Sequence, residues 1–334
     1  MIWRCPHCRF ELSDRTRVLH CAPCNRDYEV VNGIPDLRVD ADSWIDFESD
    51  LAFARALARK NLSLEEMIRA VYSARPDWDA ERINRRTREA LDGPRQMGDQ
   101  VSGWLDRPSA IGPILDLGCG NGPMMVALYS AGRECIGVDV SMTWLVVAQR
   151  MVREAGHVPA LAAAVAEALP LADGALGAVI SLDVVEHVRD VPAYVREIDR
   201  TVRPGGFVAI STPNRFSLSA EPHVFVWGVG WLPRRWQKQF VHWRSGKTYD
   251  DTILLSYAEL KAMMKRNSDF AVSILTPRIH AEHIRSFGRV KAIAANIYNL
   301  LVGFWGMRVL FSIVGPFFHL IGVKRDPSDP VNDR

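Results

Sequence analysis

The chain has 334 residues, a length that indicates roughly two domains. Lys and Arg number 41 against 39 Asp and Glu, and the resulting net charge of +2 excludes a histone-like or tail-driven nucleic-acid binder. Six cysteines exclude a disulfide scaffold, and their arrangement as two pairs and two single residues favours a reducing cytoplasm. The sequence shows neither an N-terminal signal pattern nor an apolar run of roughly 18 residues.

Four cysteines near the N-terminus follow the pattern C-x2-C-x12-C-x2-C. They are Cys5, Cys8, Cys21 and Cys24. Two tight turns of this kind bring four thiolates around one tetrahedral Zn²⁺, and four thiolates leave no open position for a substrate. Residues 1–38 are therefore predicted to be a zinc ribbon, in which a structural zinc supplies most of the folding energy of a very small module.

Residues 39–108 have the pattern of a helical linker or cap. Helical periodicity covers 43–74 and 79–91, and Gly93-Pro94 is expected to end the second helix. A short amphipathic helix is then expected over 96–106. The arginines of 79–91 are typical of a solvated helix face, although they also suit phosphate contacts.

A glycine-rich turn follows the next strand. The apolar segment 114–117 leads into Gly118-Cys119-Gly120-Asn121-Gly122 and then into a helix, and the following strand ends at Asp139. Glycines let the backbone approach a ligand closely, and an acid at the tip of the second strand can bind ribose hydroxyls. The pattern predicts a doubly wound α/β domain that binds a nucleotide-like cofactor.

The form of this turn, with Asp116 inside the preceding strand, resembles motif I of the class I S-adenosylmethionine-dependent methyltransferases. The resemblance continues in the same chain order through four further segments, 166–171, 178–188, 194–202 and 203–215. It implies a Rossmann-like, mostly parallel seven-stranded sheet over 109–280, preceded by the ribbon and followed by an apolar helical segment. It also implies S-adenosylmethionine as the cofactor.

The same resemblance implies which residues bind that cofactor. Asp116 and the glycines of the turn should approach the methionine part of the cofactor. Asp139, at the end of the second strand, should bind the ribose hydroxyls, and Ser141-Met142 should lie at the edge of the adenine. The family often has an acid where this chain has Val165, so the adenine must rely on the Ala166 backbone, on Glu167 or on stacking by Met142. The complete set is Asp116, Gly118, Cys119, Gly120, Asp139, Val140, Ser141, Met142, Ala166, Glu167 and Leu182.

Candidate catalytic residues follow the fourth strand of the family pattern. A hydroxyl acceptor usually needs a base to remove its proton, whereas a carbon or amine acceptor does not. Asp183 and His187 are candidates, and His223 is the candidate base from a later insertion. Glu186-His187 resembles the positions of quinone-type O-methyltransferases at which a divalent ion assists; the alternative is that this pair caps a helix and packs the floor of the site.

An insertion over 213–252 is expected to cover the acceptor. It places Trp227, Trp231, Trp236 and Trp243 among arginines and lysines. Such a segment suits a substrate lid, and Trp with Arg suits the headgroup level of a bilayer. Stacking on RNA bases and a satellite aromatic core are the alternatives.

The C-terminal segment 281–323 is strongly apolar, with basic residues on both sides, and 324–334 is polar and predicted to be disordered. Two apolar stretches separated by Arg308 are each too short to span a bilayer comfortably. They are therefore predicted to form a re-entrant or in-plane hairpin at the cytoplasmic face of a membrane. Packing against the core or against a partner subunit is the alternative.

Together these patterns predict a methyltransferase whose acceptor is a small molecule or lipid-linked molecule near a membrane. The main alternative is an rRNA or tRNA methyltransferase that uses its ribbon to recognise RNA. A third alternative, from another functional class, is a non-catalytic scaffold that binds S-adenosylmethionine. The sequence does not indicate the oligomeric state.

Overall fold

The structure, a computed structural model, describes residues 2–40, 45–105, 112–275, 278–279, 284 and 288–326, with only the backbone described for 99–105. Most of the predicted 324–334 tail lies outside these residues. The chain forms two compact units. The first comprises Met1–Ser181, Asp190–Val208 and Val323–Arg334, and the second comprises Leu182–Arg189 and Ala209–Gly322.

The N-terminal ribbon is a four-stranded antiparallel sheet. Its strands, in the order β1-β2-β3-β4, are Ser13–Arg15, Val18–Cys21, Arg26–Val31 and Ile34–Pro35. The ribbon is joined to the rest of the first unit just after β4, where the Leu37 N–H donates to the Ala163 carbonyl at 2.8 Å. Asp36 also pairs in parallel with Ala163. The end of the ribbon therefore lies on the edge of the central sheet.

Three helices follow the ribbon: α1 (Phe47–Arg59), α2 (Leu64–Ser73) and α3 (Ala80–Leu105). The prediction that Gly93-Pro94 ends a helix is wrong, because α3 continues through Pro94 as one helix. Proline removes the N–H that would bond to Ala90, and the Asn121 side chain instead donates to that carbonyl at 3.4 Å. Gly93 is needed for a different reason, since a Cβ there would lie 2.9 Å from Pro123.

The central sheet has seven strands in the order β10-β11-β9-β8-β5-β6-β7. Strand β5 pairs in parallel with both β6 and β8, and β6 pairs in parallel with β7. The strands in the first part of the chain are β5 (Ile114–Leu117), β6 (Cys135–Asp139), β7 (Ala160–Ala163), β8 (Leu176–Leu182) and β9 (Val202–Pro213). The predicted mostly parallel seven-stranded sheet is confirmed.

Helices α4 (Pro123–Ser130), α5 (Met142–Glu154) and α6 (Val191–Thr201) lie between these strands along the chain. Strand β5 is buried along its whole length, as expected for a parallel strand covered on both faces. Most of α4 and α5 is also buried. The core of the first unit therefore includes β5, α4 and α5.

The second unit contains α7 (Arg234–Ser245), α8 (Tyr257–Asn267), β10 (Phe270–Leu275), α9 (Arg289–Leu301) and α10 (Trp305–Val314). It also contains most of β11 (Phe317–Lys324), up to Gly322. The apolar segment predicted as helical is helical only as far as Val314. Its last part forms β11, in which Phe318 and Leu320 are fully buried and alternate with more exposed residues. This period of two is the pattern of a strand, and helix α10 ends at Gly315-Pro316 just before it.

Candidate functional site

The four ribbon cysteines converge on one point. The Sγ atoms of Cys5, Cys8, Cys21 and Cys24 all lie within 4.8 Å of one another. Separations of 3.4 Å for Cys8–Cys21 and 3.9 Å for Cys5–Cys24 bracket the roughly 3.8 Å expected between thiolates that share a tetrahedral Zn²⁺. The residues fit the predicted metal.

The glycine-rich turn after β5 has the backbone shape that glycine allows. Gly118, Gly120 and Gly122 all have positive φ, and a Cβ on Gly122 would lie 3.1 Å from Ala148. The Gly120 N–H donates to a carboxylate oxygen of Asp139 at 2.8 Å. This hydrogen bond joins the turn between β5 and α4 to the end of β6 within the first unit.

Asp116 is a buried acid beside this turn. Burial raises the pKa of its carboxyl group to about 8, and the nearby Asp139 adds to the effect. Among the residues described, its Oδ2 atom has no hydrogen-bond partner. A buried acceptor without a partner suits a cationic donor, such as the amino group of the methionine part of the cofactor.

Asp139 ends β6 as predicted. Its second carboxylate oxygen accepts the Ser141 N–H at 2.8 Å. Burial raises the pKa of Asp139, whereas the hydrogen bonds from Ser141 and Gly120 lower it, and the net shift is upward. Val140 beside it is half-buried. The stacking expected of Met142 does not fit this placement, because the Met142 side chain is fully buried.

The remaining predicted cofactor residues lie in loops after the strands. Cys119 is buried within the glycine-rich turn, and burial raises the pKa of its thiol well above the usual value. Ala166 and Glu167 lie on the loop after β7, where a Glu167 carboxylate oxygen accepts the Asp190 N–H at 3.4 Å. Leu182 ends β8 and belongs to the second unit.

Acidic and histidine side chains form a cluster within the second unit. The ligand atoms of Glu186, His187 and His223 lie within 4.8 Å of one another, and the two imidazole rings meet edge to face at 4.8 Å between centroids. His223 Nδ1 lies 2.5 Å from a carboxylate oxygen of the buried Glu221. The predicted catalytic residues His187 and His223 are thus neighbours. Asp183, in the same loop as His187, has a positive φ of 54°, a left-handed conformation that Asp adopts more readily than most residues other than Gly.

Burial sets the proton affinities of this cluster. It raises the pKa of Asp183 to about 6 and that of Glu186 to about 8, and the charge of Asp183 contributes to the second shift. Burial also lowers the pKa of His187. For His223 burial acts in the same direction, but the hydrogen bond to Glu221 and the nearby carboxylates raise its pKa overall. The cluster thus contains groups that exchange protons near neutral pH.

Some residues of this cluster were not predicted from the sequence. Glu221 stands two positions before His223 but was not expected to bond with it. Thr212 at the end of β9 donates to Glu186 at 3.1 Å, and the Asp251 carbonyl lies 3.2 Å from His187 Nδ1. The Glu221-Pro222-His223 triplet was the available signal for Glu221. The other two contacts join positions distant in sequence, and no local pattern marks them.

The insertion has a small core of its own, formed by valines and Tyr249 with Phe240 against them. The tryptophans do not form this core. All four are exposed, and Trp243 has 75% of its surface accessible. The insertion thus has a satellite core that includes the aromatic residues Tyr249 and Phe240, but the four tryptophans lie outside it.

Helices α9 and α10 also expose apolar side chains. Only Ala295 is buried in α9 and no residue is buried in α10, and 82% of the Trp305 surface is accessible. The insertion contacts this surface through the Leu218 N–H, which donates to the Val314 carbonyl at 3.1 Å. Within the insertion, the Trp227 indole N–H donates to the Leu218 carbonyl at 3.1 Å. We call the exposed apolar side chains of 218–243 and 290–313 the apolar face.

No helix in the described parts of the chain combines the length and the hydropathy needed to cross a membrane.

Comparison with known proteins identifies the central part of the chain. Residues 115–210 match the model of a family described as "Methyltransferase domain". This segment is a methyltransferase domain. It contains the glycine-rich turn, the tip of β6 and the loop after β8, so the predicted resemblance is confirmed for this domain.

The chain is also similar to curated proteins. The chain is 38% identical over 132 residues to a ubiquinone biosynthesis O-methyltransferase of Azorhizobium caulinodans, covering 37% of this chain and 51% of that protein. It is 33% identical over 145 residues to the protein of the same name from Mesorhizobium japonicum, covering 41% and 58%. The chain thus spans about half the length of these relatives.

Among solved structures, the chain is similar to phosphoethanolamine N-methyltransferase 2 of Haemonchus contortus in complex with S-adenosyl-L-methionine. The identity is 18%, the TM-score is 0.45, and the match covers 82% of this chain and 60% of that chain. A similarity this distant carries no argument about function.

Proposed function

We propose that the protein is an S-adenosylmethionine-dependent methyltransferase that methylates a hydroxyl group of a lipid or lipid-linked acceptor at a membrane surface. The matched methyltransferase domain supports the reaction class. The relatives named O-methyltransferases favour an oxygen acceptor. The observation that carries the lipid part of the proposal is the apolar face of the second unit.

The cofactor would be held by residues of the first unit. The glycine turn and the unpartnered oxygen of Asp116 suit the methionine part, and Asp139 suits the ribose hydroxyls. When bound, S-adenosylmethionine supplies an electrophilic methyl group, so the protein has to orient the acceptor, exclude water and remove a proton.

His223 is proposed as the base that removes the hydroxyl proton. With Nδ1 bonded to Glu221, Nε2 is the nitrogen left to accept that proton. Glu186, His187 and His223 also have the donor types of a divalent-cation site, and the Glu186 Oε1 atom lacks a partner among the described residues. A divalent ion there is the alternative to the base role, because Nε2 of His223 cannot both bind an ion and accept a proton; such an ion would polarise the acceptor oxygen. The four cysteines of the ribbon are proposed to hold a structural Zn²⁺.

The acceptor class is inferred from the composition of the apolar face. Tryptophan is favoured at the bilayer interface, where one part of the ring is apolar and the other is wet. Between residues 288 and 322 the sequence contains Arg289, Lys291 and Arg308 but no Asp or Glu. An apolar surface that carries basic but no acidic residues favours binding to an anionic bilayer over exposure to water.

Flotation with lipid vesicles tests this proposal. We expect the full chain to float with vesicles of phosphatidylcholine and phosphatidylglycerol, and the double variant Trp243→Gln/Trp305→Gln to bind them about tenfold or more weakly. Point variants are needed because deletion of the whole apolar segment would remove β11.

The matched control is Val158→Gln. Val158 is 86% exposed but lies in the first unit, so this variant should float like the natural chain. If the natural chain does not float with vesicles of any composition, the membrane part of the proposal is contradicted. Binding to RNA that weakens steeply with salt would instead favour the RNA methyltransferase alternative.

A further inference from the structure

We propose that Asp50 and Arg38, which both precede the methyltransferase domain, are positioning residues for cofactor binding. They hold the loop Asp139–Thr143 at the end of β6 and thereby make cofactor affinity depend on the ribbon and on α1. This inference rests on the proposed use of that loop to bind the adenosine half of S-adenosylmethionine.

Asp50 caps helix α5 from a different helix. One of its carboxylate oxygens accepts the Met142 N–H at 2.7 Å, and the other accepts the Ser141 hydroxyl at 2.9 Å and the Thr143 N–H at 3.2 Å. The Thr143 hydroxyl donates back to the Asp50 carbonyl at 3.1 Å. The first N–H groups of a helix have no partner within it, and Ser141, the local cap, reaches only Trp144. Asp50 therefore fixes the start of α5.

Arg38 holds Asp50 in place. Its side chain is 1% exposed and donates to the Asp50 carboxylate at 2.8 Å, to Asp36 at 2.6 and 2.7 Å, and to the Val140 carbonyl at 3.1 Å. The guanidinium also lies 4.3 Å from the centre of the Phe47 ring. These partners suit the planar fork of arginine, and removal of Arg38 would leave the buried Asp50 carboxylate without its counter-charge.

Asp50 is linked to the predicted cofactor residues through Ser141. Its hydroxyl donates to Asp50, while its N–H donates to Asp139, whose other oxygen accepts the Gly120 N–H. A shift of Ser141 would therefore move the carboxylate that suits the ribose and would disturb the glycine turn. Because Leu37 bonds to the edge strand β7, the end of the ribbon is fixed beside the same loop.

The experiment measures binding of S-adenosylhomocysteine to the full chain by calorimetry, together with hydrogen exchange of the cofactor-free protein. Asp50→Asn keeps the size of the side chain but loses the charge that attracts the helix N–H groups. We expect about tenfold weaker binding and faster exchange at the Met142 and Thr143 amides. In turnover assays the KM for S-adenosylmethionine should rise while kcat at saturating cofactor is retained.

Arg55→Met is the matched control. It breaks the exposed ion pair of Arg55 with Glu29, which joins the same two parts of the chain, the ribbon and α1. This variant should bind S-adenosylhomocysteine with the same affinity as the natural chain.

If Asp50→Asn does not fold, the variant Arg38→Lys tests the inference instead. It keeps the positive charge but loses the planar guanidinium, and we expect it to bind S-adenosylhomocysteine severalfold more weakly. Natural affinity in the folded variant would overturn the inference, whether or not amide exchange changes. A natural chain that does not bind S-adenosylhomocysteine would instead overturn the proposed function.

Discussion

Glu221 and His223 have the geometry of an acid that orients a base. The short contact at Nδ1 fixes the imidazole, and Glu221 is itself fixed because it accepts the N–H groups of His223 and Val224, each at 2.8 Å. The carboxylate also raises the pKa of His223 against the effect of burial. A base must be neutral to accept a proton, so methyl transfer should decline as pH falls through the pKa of His223.

The variant Glu221→Gln tests this pair. Without the carboxylate the pKa of His223 falls, so the acidic limb of the kcat profile should move to lower pH. The kcat value at the optimum should fall by about one to two orders of magnitude, because the ring is no longer held. A pH–rate profile measures both effects. Asp250→Asn is the control, since Asp250 forms an exposed ion pair with Lys238 in the same insertion; an unshifted limb in Glu221→Gln would rule out the pair.

At the residue scale, the residues that the sequence predicts correctly are those for which one local pattern carries the chemistry. The glycine turn, Asp139 and the four cysteines were all located by spacing alone, and the structure brings each set together. Asp50 and Arg38 were not found, because they act across more than ninety positions of sequence, through Ser141 and the Val140 carbonyl. Nothing near Asp50 distinguishes it from any other acid in the first turn of a helix.

At the scale of elements, the ribbon has a small core whose cysteines meet at one point. Cys5 and Cys21 are fully buried, whereas Cys8 is exposed. A module of this size gains much of its stability from a bound metal. Because the ribbon is bonded to β7, we expect loss of its stability to affect the neighbouring loop Asp139–Thr143 as well.

Removal of one ligand tests the metal. The natural chain should contain one zinc per molecule by elemental analysis, and Cys21→Ser should lose it, with faster hydrogen exchange across β2 and β3. Cys135→Ala is the matched control, because Cys135 is buried in β6, outside the ribbon. Retention of zinc by Cys21→Ser, or a natural chain without zinc, would refute the site.

Two elements differed from their predicted form for reasons that lie outside their own segments. Helix α3 continues through Pro94 because Asn121, in a different part of the chain, donates to the carbonyl that the proline leaves free. Strand β11 was hidden in an apolar segment, because a short apolar run fits a buried helix and a buried strand equally well. Its alternating burial decides between them only once the sheet is known.

At the scale of the whole molecule, the sequence could predict the doubly wound sheet, since five motifs appeared in the expected order. The near-neutral net charge concealed an uneven distribution, in which the apolar face carries basic residues and exposed tryptophans. That these side chains are exposed, and that the insertion has a separate valine core, depends on packing and could not be deduced from composition.

The central claim is that the protein transfers a methyl group to a lipid hydroxyl. The full chain is incubated with methyl-labelled S-adenosylmethionine and a bacterial cell extract, and the label is then measured in separated lipid, RNA and protein fractions. We predict label in the lipid fraction as a methyl ether, greatly reduced when His223→Gln replaces the natural chain. Label confined to RNA or protein, or no transfer in any fraction, would contradict the claim.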